Sequence, residues 1–471
     1  MVGIKSFGVY LPYYRLNRAD VGKFWSSYQT SGERTVANFD EDTLTMAVEA
    51  CRDCLGGLDK DCVERFYLAS TTFPYSEKQS SALVATALDL PKQVLTTDIS
   101  GSLRSTSNAI MLALDSIRGK SARNVLIGAS DMRLSLPNGS RELEFGDGAA
   151  ALLLGDSDVI ATIDHVFSMN EEIYDIYRPS GEKFVRFWED RFVREMGYGK
   201  IVPSAVMEAL KAFSLNPKDF SRALFYASNP GYTNGVVQKL GFDPKIQAAD
   251  SLWGLTGNMG SAHGLALLAQ ALESAKVGDK ILWVSYGDGC DVLAVSVKKG
   301  IEQAQQKQSF KRNLDVKAFT TYQKYLRWRD IIQTDPPKRP RMEQPSAVAL
   351  YRDQKSGLAL NGSKCKKCGT VQYPAQRICM ECESKDNFEY YSFADKQGKI
   401  VTFSHDNLAV SADPPTTLAA VDFDGGGRIM LDVTDRDPDQ IKVGTPVEMT
   451  FRRFREVEGI RVYWWKSRPI R

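Results

Sequence analysis

A segment within the first 300 residues is repeated, and the repeat limits the possible folds more than any other feature. Phe145-Gly-Asp-Gly-Ala-Ala-Ala-Leu-Leu-Leu returns as Tyr286-Gly-Asp-Gly-Cys-Asp-Val-Leu-Ala-Val. Each copy is a glycine turn followed by an apolar run typical of a buried strand. Gly-Asp-Gly alone is a common turn, but a loop of small residues and an apolar helix precede each copy, at Ser100–Ala109 and Thr256–Gly264. The repeat therefore predicts a pseudo-two-fold domain whose loops meet at a central cleft.

Short apolar runs alternate with helical patterns through this region, which favours a layered α/β fold. The predicted strands are Phe66–Ser70, Asn124–Ala129, Ala149–Leu154, Ala223–Ala227, Lys280–Tyr286 and Val292–Val297. The predicted helices are Glu41–Leu55, Ser80–Ala87, Ser105–Arg118, Pro203–Phe213 and Ala262–Ser274.

Four of the eight cysteines lie close together, and their spacing predicts a metal site. The spacing is C-x2-C, ten residues, C-x2-C, formed by Cys365, Cys368, Cys379 and Cys382. Four thiolates complete a closed tetrahedral shell, for which zinc fits best because it accepts sulfur ligands without redox chemistry. We expect one structural zinc ion per chain, with iron or reactive thiols as the alternatives.

The chain of 471 residues is too long for one core, and its composition changes along its length. We predict an α/β domain over 1–300, a helical and proline-rich linker over 301–345, a zinc ribbon over 346–390 and a final domain over 391–471. Five strand-like runs separated by glycine turns predict a small OB-fold β-barrel for the last of these.

Composition excludes few classes of function. The net charge of +2 argues neither for nor against nucleic acid, and no long apolar run predicts a membrane span. The N-terminus lacks a signal-peptide pattern, so we expect a cytoplasmic protein. Binding of single-stranded nucleic acid through Trp464, Trp465 and Arg452, Arg453 and Arg455 is a minor alternative; we expect no nucleic-acid partner.

The first 300 residues resemble the thiolase superfamily, in its 3-hydroxy-3-methylglutaryl-CoA (HMG-CoA) synthase and ketoacyl-carrier-protein synthase III branch. The resemblance rests on Gly8-Val-Tyr-Leu-Pro, on Phe145-Gly-Asp-Gly-Ala-Ala-Ala, and on Gly257-Asn258 followed by small residues. It implies a five-layer fold, an active site between the two halves, a CoA thioester substrate and a homodimer.

Residues 320–471 resemble the zinc-ribbon and OB-fold domains that accompany thiolase-like enzymes. The resemblance rests on Cys-x2-Cys-Gly-x3-Tyr-Pro…Cys-x2-Cys and on the ending Tyr463-Trp-Trp-Lys-Ser-Arg-Pro. It implies that this region assists CoA thioester binding, and that a thiolase subunit is a possible partner.

The chain departs from the family at two catalytic positions. The family's nucleophilic cysteine follows an aspartate by five residues, and here Asp98 is followed at that distance by Leu103. The family's histidine precedes a proline by two residues, and here Ser228 precedes Pro230. Of a Cys-His-Asn site only Asn258 is kept. Since leucine forms no thioester, an acyl-enzyme at this position is unavailable.

The resemblance and the loop positions together give a set of candidate site residues. We expect Asn258, Ser228, Tyr226, Cys290 and Asp288 to carry chemistry, with Tyr232 as a further proton carrier. Substrate would contact Leu103, Arg104, Gly257, Gly287 and Gly289. Structural roles are the competing interpretation: Cys290 as a core residue, Asp147 and Asp288 as loop braces, His263 as a satisfied buried histidine, and Arg104 as a partner of Asp98.

The expected function is that of an enzyme which makes or breaks a carbon–carbon bond in an acyl-CoA through a stabilised thioester enolate. A synthase-type acyltransferase is favoured by the overall resemblance, and an aldolase-type lyase by the lost cysteine. A non-catalytic scaffold that partners an active thiolase is the remaining alternative.

Overall fold

The alternating apolar runs form a mixed sheet covered by helices in the computed structural model, which describes residues 1–27, 30–248, 251–335 and 345–470. The basic part of the predicted linker, residues 338–341, lies outside the described residues. The chain divides into two units. Unit 1 comprises Met1–Ala37, Met46–Leu83 and Leu90–Tyr322, and unit 2 comprises Asn38–Thr45, Val84–Asp89 and Gln323–Arg471.

The strands of unit 1 are β1 Gly3–Tyr10, β2 Tyr14–Asn17, β3 Glu33–Val36, β4 Arg65–Ala69, β5 Leu95–Ile99, β6 Asn124–Asp131, β7 Gly148–Gly155, β8 Ala161–Asn170, β9 Ile176–Tyr177, β10 Arg186–Phe187, β11 Arg222–Phe225, β12 Lys280–Tyr286, β13 Gly289–Val297 and β14 Ala318–Phe319. Those of unit 2 are β15 Asn361–Cys365, β16 Val371–Gln372, β17 Phe388–Ser392, β18 Gln397–Asp406, β19 Thr416–Phe423, β20 Arg428–Asp432, β21 Pro446–Val457 and β22 Ile460–Pro469.

The helices of the chain are α1 Arg18–Phe24, α2 Thr43–Leu55, α3 Ser80–Ala87, α4 Ser105–Arg118, α5 Asp190–Phe192, α6 Gly199–Phe213, α7 Thr233–Lys239, α8 His263–Ser274, α9 Ile301–Gln305, α10 Ser309–Asp315, α11 Tyr322–Trp328, α12 Ala347–Arg352 and α13 Gln354–Gly357. Proline favours the first turn of a helix, which placed a helix start at Pro203. The helix instead begins at Gly199, because the π-helical segment Val193–Tyr198 leads directly into it.

Unit 1 is built around a nine-stranded sheet in the order β11-β12-β13-β8-β1-β7-β6-β4-β5. Its two halves correspond: β4 is parallel to β6, which is antiparallel to β7, just as β11 is parallel to β12, which is antiparallel to β13. The repeated Gly-Asp-Gly turns end at the first residues of β7 and β13. The halves join where β1 pairs with β8. This correspondence confirms the predicted pseudo-two-fold fold.

The core of unit 1 forms around two helices that start at the predicted small-residue loops. Most side chains of α4 and α8 are buried, and they share one apolar cluster with strands from both halves. A second cluster gathers α6 and α7 against the other face of β12 and β13. Strands β7 and β13 are buried along their whole length, as are most side chains of α4 and α8. Close packing therefore fixes the starts of these elements and the loops that lead into them.

Unit 2 holds a three-stranded sheet, β16-β15-β17, and a five-stranded antiparallel sheet, β20-β19-β18-β21-β22. The five strands agree with the five predicted from the sequence. Glu458 and Gly459 form the predicted hairpin turn between β21 and β22, with φ angles of 50° and 76°. The expected closed barrel is not formed within the described residues: the outer strands share no ladder, and an isolated bridge joins Val433 to Ser467. Strand β20 ends at Asp432, before it could form a full ladder with β22, the strand at the other edge of the sheet.

A buried ion cluster stabilises unit 2. The Arg452 guanidinium contacts Glu41 at 2.7 Å, Asp435 at 2.6 Å and Asp40 at 3.4 Å, and all four side chains are at most 1% exposed. Lys466 adds a second cation at 3.0 Å from Asp40. The paired charges satisfy one another, which makes their burial tolerable.

Among the helices of the described residues, none is long and apolar enough to cross a membrane.

Candidate functional site

The four loops of the repeat meet in exchanged pairs in unit 1. The first glycine turn joins the asparagine loop of the second half: Gly146 N–H donates to Asn258 O at 3.0 Å, and Asn258 N–H donates to Glu144 O at 2.6 Å. The second glycine turn meets the loop of the first half, where a Cβ on Gly287 would lie 3.2 Å from that of Leu103. Each loop thus packs against the turn of the opposite half, as the repeat predicted.

A cavity of about 260 Å³ opens at the second of these junctions. Its lining includes Leu103, Arg133, Asp175, Arg178 and Asp288. Ser100, Gly101 and Ser102, just before helix α4, also line the cavity. Two cations and two carboxylates therefore share one small cavity with the leucine that stands where the family has its cysteine.

Asp175 is the carboxylate best placed for proton transfer. It is 9% exposed, its Oδ2 accepts a hydrogen bond from the Ser228 hydroxyl at 2.7 Å, and its Oδ1 has no hydrogen-bond partner in the described part of the chain. Burial raises the pKa of Asp175, the charge of Asp288 raises it further, and the Ser228 hydrogen bond opposes both. The hydroxyl of Tyr286 is a neighbour of this carboxyl but makes no hydrogen bond of normal geometry.

Arg133 is the second residue that the sequence reasoning missed. It is 4% exposed, and none of its three guanidinium nitrogens has a hydrogen-bond partner within the described residues. One face of the guanidinium lies 4.4 Å from the centre of the Phe145 ring. Arg133 lies just beyond β6 and Asp175 just before β9. No motif marks either position, and only their burial in one cavity identifies them.

Asn258, Tyr226 and Ser228 form a buried hydrogen-bonded group. The Asn258 side-chain oxygen accepts from the Tyr226 hydroxyl at 3.2 Å and from Gly260 N–H at 2.8 Å, and its amide donates to Ser228 O at 3.3 Å. Burial raises the pKa of the Tyr226 hydroxyl. Through Ser228 this group connects to Asp175, so three of the predicted site residues are brought together with one that was not predicted.

The remaining candidates lie around the second glycine turn. Asp288 is exposed and lines the cavity, with φ of 44°. Cys290 is fully buried beside the tyrosines of the second core cluster, and burial raises the pKa of its thiol. Arg104 donates to Asp291 Oδ1 at 2.9 Å and to Asp288 O at 2.9 Å.

The predicted partner of Arg104, Asp98, instead accepts the backbone N–H groups of Ser80 and Ser81. Gly289 requires glycine, because its φ is 118° and a Cβ would lie 2.2 Å from Met169 O. Gly257 packs beside the first glycine turn, where a Cβ would lie 2.9 Å from Glu144 O.

His263 and Asp147, which have a competing structural interpretation, and the proton-carrier candidate Tyr232 all make contacts within the fold. His263 is buried, its Nδ1 accepts Met259 N–H at 3.4 Å and its Nε2 lies 2.9 Å from Ser251 O; burial lowers its pKa to about 4. Asp147 accepts Ala37 N–H at 2.8 Å and braces its loop. Tyr232 donates to Asp190 at 2.7 Å.

A larger and more apolar cavity of about 570 Å³ lies beside the first in unit 1. Aromatic and methionine side chains, among them Trp188, Phe192 and Met196, line it, with Lys200 at its edge. Tyr177 lines both cavities, so the two adjoin at this ring.

The four cysteines of unit 2 form a site that suits a tetrahedral metal. Their Sγ atoms all lie within 4.8 Å of one another, with 3.7 Å between Cys365 and Cys382 and 3.5 Å between Cys368 and Cys379. Four sulfurs about 2.3 Å from one zinc ion would be about 3.8 Å apart. Hydrogen bonds with Thr370 lower the pKa of Cys368 to about 6, which favours the thiolate that a metal binds.

The two cysteine pairs have the same local geometry. Gly369 N–H donates to Cys365 O at 2.9 Å, and Glu383 N–H donates to Cys379 O at 3.0 Å. Both residues have positive φ, 78° and 59°. Four thiolates around one zinc ion would leave no open coordination position.

Two of the residues proposed to contact nucleic acid are buried. Arg452 is fully buried in the ion cluster of unit 2, and Trp465 is 0% exposed with its indole N–H donating to Leu358 O at 2.8 Å. The nucleic-acid alternative therefore loses the central part of its contact surface.

Known proteins resemble both the α/β part of the chain and its C-terminal part with the four cysteines. The family model described as "ChsH2, rubredoxin-like zinc ribbon domain" matches residues 359–389, and "ChsH2, C-terminal OB-fold domain" matches residues 391–452. The hydroxymethylglutaryl-CoA synthase of Thermococcus gammatolerans is 29% identical over 69% of this chain and 93% of its own length.

Solved structures give the same fold. An HMG-CoA synthase complexed with CoA superposes with a TM-score of 0.61 at 19% identity, covering 69% of this chain and 89% of that one. The 3-oxoacyl-[acyl-carrier-protein] synthase III of Aquifex aeolicus superposes with a TM-score of 0.57 at 22% identity, covering 63% and 100%. The predicted resemblance and the predicted fold class are confirmed: a thiolase-like α/β domain, a zinc ribbon and an OB-fold domain.

Proposed function

We propose that this protein makes or breaks a carbon–carbon bond beside the thioester carbonyl of an acyl-CoA, through an enolate and without an acyl-enzyme. The observation that carries the proposal is Asp175, a buried carboxylate with one unpartnered oxygen, in the same cavity as Leu103. Leucine forms no covalent intermediate, whereas a carboxylate with a raised pKa is suited to moving a proton.

In the cleavage direction, Asp175 takes the proton of a β-hydroxyl group. The Cα–Cβ bond breaks, the β-carbon leaves as a carbonyl compound, and the electron pair passes to the thioester as an enolate. Asp175 then returns the proton to Cα, giving an acyl-CoA. The condensation is the same sequence reversed, so the protons balance in both directions.

The developing enolate needs hydrogen-bond donors. Ser102 and Leu103 line the cavity immediately before helix α4, whose N-terminal dipole favours negative charge, and we assign the donor role to their backbone N–H groups. Asn258 is fully buried and bonded to its neighbours, so we assign it the role of holding Ser228, and through it Asp175, in place. The adjoining apolar cavity beside Tyr177 suits an apolar part of the substrate.

We also propose that unit 2 assists the binding of the CoA thioester, with its metal site serving the fold. Unit 2 has a cavity of about 460 Å³ lined mainly by apolar side chains, including Leu418, Met430, Phe454 and Trp464. Met430 is 65% exposed, so Met430→Glu should leave the fold intact and weaken acyl-CoA binding in the full chain. Unchanged affinity in isothermal titration calorimetry would contradict this role.

Enolate formation can be tested before the natural substrate is known. The full chain is incubated with short acyl-CoAs in D2O, and deuterium incorporation at Cα is followed by mass spectrometry. We expect enzyme-dependent exchange, and no exchange with any acyl-CoA would favour the non-catalytic scaffold instead.

Intact-protein mass spectra with acetyl-CoA or acetoacetyl-CoA should show no acyl adduct; an adduct on Cys290 would overturn the mechanism. Three further properties stay predictions. Light scattering would test the homodimer, co-purification would test the thiolase partner, and cell fractionation would test the cytoplasmic location.

A further inference from the structure

We propose that Arg133 binds a carboxylate on the acyl part of the substrate, so that the preferred substrates are CoA monothioesters of dicarboxylic acids. The inference rests on the proposed function for the thioester and adds the identity of the group at its far end. It starts from an unpaired cation inside the cavity that also holds Asp175.

The guanidinium of Arg133 has no hydrogen-bond partner among the residues that the structure describes. It is 4% exposed, and Nε and both terminal nitrogens are buried without a hydrogen bond in the described ranges. A guanidinium presents its N–H groups as a planar fork that matches a carboxylate with two parallel hydrogen bonds. Burying such a fork unpaired is costly, and a bound anion would remove that cost.

The neighbouring acid cannot serve as this partner. Asp131, two residues earlier, accepts from the Ser70 hydroxyl, Thr71 N–H and the Thr72 hydroxyl at Oδ1, at 2.7–3.0 Å. Its Oδ2 accepts Ser261 N–H at 2.7 Å. Both oxygens are therefore committed to holding the loops together, and the guanidinium is left for a ligand.

The surroundings of Arg133 favour an anion at its edge. Phe145 covers one face of the guanidinium at 4.4 Å, so a ligand must approach in the plane of the fork. Arg178 also lines the cavity and donates to Thr71 O at 2.6 Å, adding a second positive charge to the wall. Asp175 lines the same cavity but makes no ion pair with Arg133 among the described residues, so a substrate placed between them can meet both.

The size of the cavity separates two sources of an anion. The cavity measures about 260 Å³, which leaves room for a short acyl chain with a terminal carboxylate. The phosphorylated nucleotide part of CoA is much larger than this. We therefore assign the anion to the acyl group rather than to the phosphates of CoA.

The test compares two thioesters that differ only at the far end, succinyl-CoA and butyryl-CoA, with free CoA as a third ligand. Dissociation constants are measured by isothermal titration calorimetry for the wild-type chain, Arg133→Met and Arg133→Lys. We expect the wild type to bind succinyl-CoA at least about tenfold more tightly than butyryl-CoA, the strength of a charge-assisted hydrogen bond. Arg133→Met should bind the two equally, and Arg133→Lys should keep part of the preference.

Any other pattern of affinities refutes the proposal, and the pattern shows which part of it fails. Equal affinity of the wild type for the two thioesters, both tighter than CoA, removes the carboxylate role while leaving thioester binding intact. An equal loss of affinity for all three ligands in Arg133→Met would mean that the guanidinium contacts CoA itself. If neither thioester binds the wild type, the proposed function fails with it.

Thermal unfolding distinguishes a binding role from a structural one. Since Arg133 forms no hydrogen bond within the described part of the chain, Arg133→Met should unfold at the same temperature as the wild type or higher. Addition of succinyl-CoA should raise the midpoint of the wild type more than that of the variant. A variant that unfolds at a clearly lower temperature would show Arg133 to be structural and would overturn the proposal.

Discussion

Replacement of Asp175 by asparagine is the most direct test of the proposed proton carrier. In the wild type the Ser228 hydroxyl donates a hydrogen bond to Asp175 Oδ2 at 2.7 Å. Asparagine has the same shape as aspartate and keeps an oxygen that can accept this hydrogen bond, so the substitution removes little besides the charge and the basicity. A positioned general base contributes about 10²–10⁴-fold to a rate. We expect Asp175→Asn to slow exchange of the α-proton in D2O by this factor, equivalent to about 3–5 kcal/mol in the barrier.

The pH dependence gives an independent signature of the same residue. Burial raises the pKa of Asp175 above its ordinary value, so the basic form becomes populated only at higher pH than for an exposed aspartate. The wild-type exchange rate should rise with pH through this raised pKa and then level off. Asp175→Asn should lack this rising limb, because asparagine does not titrate.

Stability separates loss of the base from misfolding. A carboxyl whose pKa is raised by folding favours the folded state most at low pH, and that contribution is lost as the pH rises through the raised pKa. At neutral pH the charge of Asp175 therefore opposes folding, and Asp175→Asn should melt no lower than the wild type.

Asp164→Asn is the matched control, because Asp164 is exposed and also accepts from hydroxyl groups, those of Thr162 and Ser296, outside the cavity. An exchange rate within threefold of wild type for Asp175→Asn, or an equal fall in Asp164→Asn, would refute the assignment.

Three further outcomes test other parts of the molecule. Ser228→Ala removes the hydrogen bond that lowers the pKa of the base, so the rising limb of the pH profile should move to higher pH; a limb that stays in place contradicts the coupling. Arg452→Met leaves the buried carboxylates of Glu41 and Asp435 without this cation, and it should lower the free energy of unfolding by about 3–5 kcal/mol in denaturant unfolding. An unchanged free energy of unfolding would show that the cluster is energetically neutral. Cys379→Ser should lose the metal, so elemental analysis should fall from one zinc per chain to well below one; full occupancy would exclude this cysteine as a ligand.

The fold was predictable where its signals are local. The repeated Gly-Asp-Gly turns marked the starts of β7 and β13, and each strand and helix predicted in the first 300 residues corresponds to an element of the structure. The start of helix α6 was wrong, because a proline signal at Pro203 gave way to a π-helical segment that no local pattern announced. Closure of the OB sheet also depends on where β20 ends, which is a matter of long-range pairing.

The candidate site was predictable only in part. Resemblance located Leu103 and Ser228 through fixed offsets from an aspartate and a proline, and the structure places Leu103 in the cavity and Ser228 against it. Cys290 was considered because it follows a glycine turn, and its position in the second core cluster depends on the packing of β13. A position along the chain says which loop a residue occupies, but not which way its side chain faces.

The sequence by itself determined the repeat, the four-cysteine spacing and the absence of a cysteine at position 103, since each is a relation between residues at fixed separations along the chain. Only the tertiary structure decided which charged groups line the cavity. Asp175 and Arg133 are two among many acidic and basic residues, and what distinguishes them is a carboxylate oxygen and a guanidinium that are buried without a hydrogen-bond partner among the described residues. Burial and unmet hydrogen bonds depend on the segments that pack around a group from elsewhere in the chain, so no local pattern contains them.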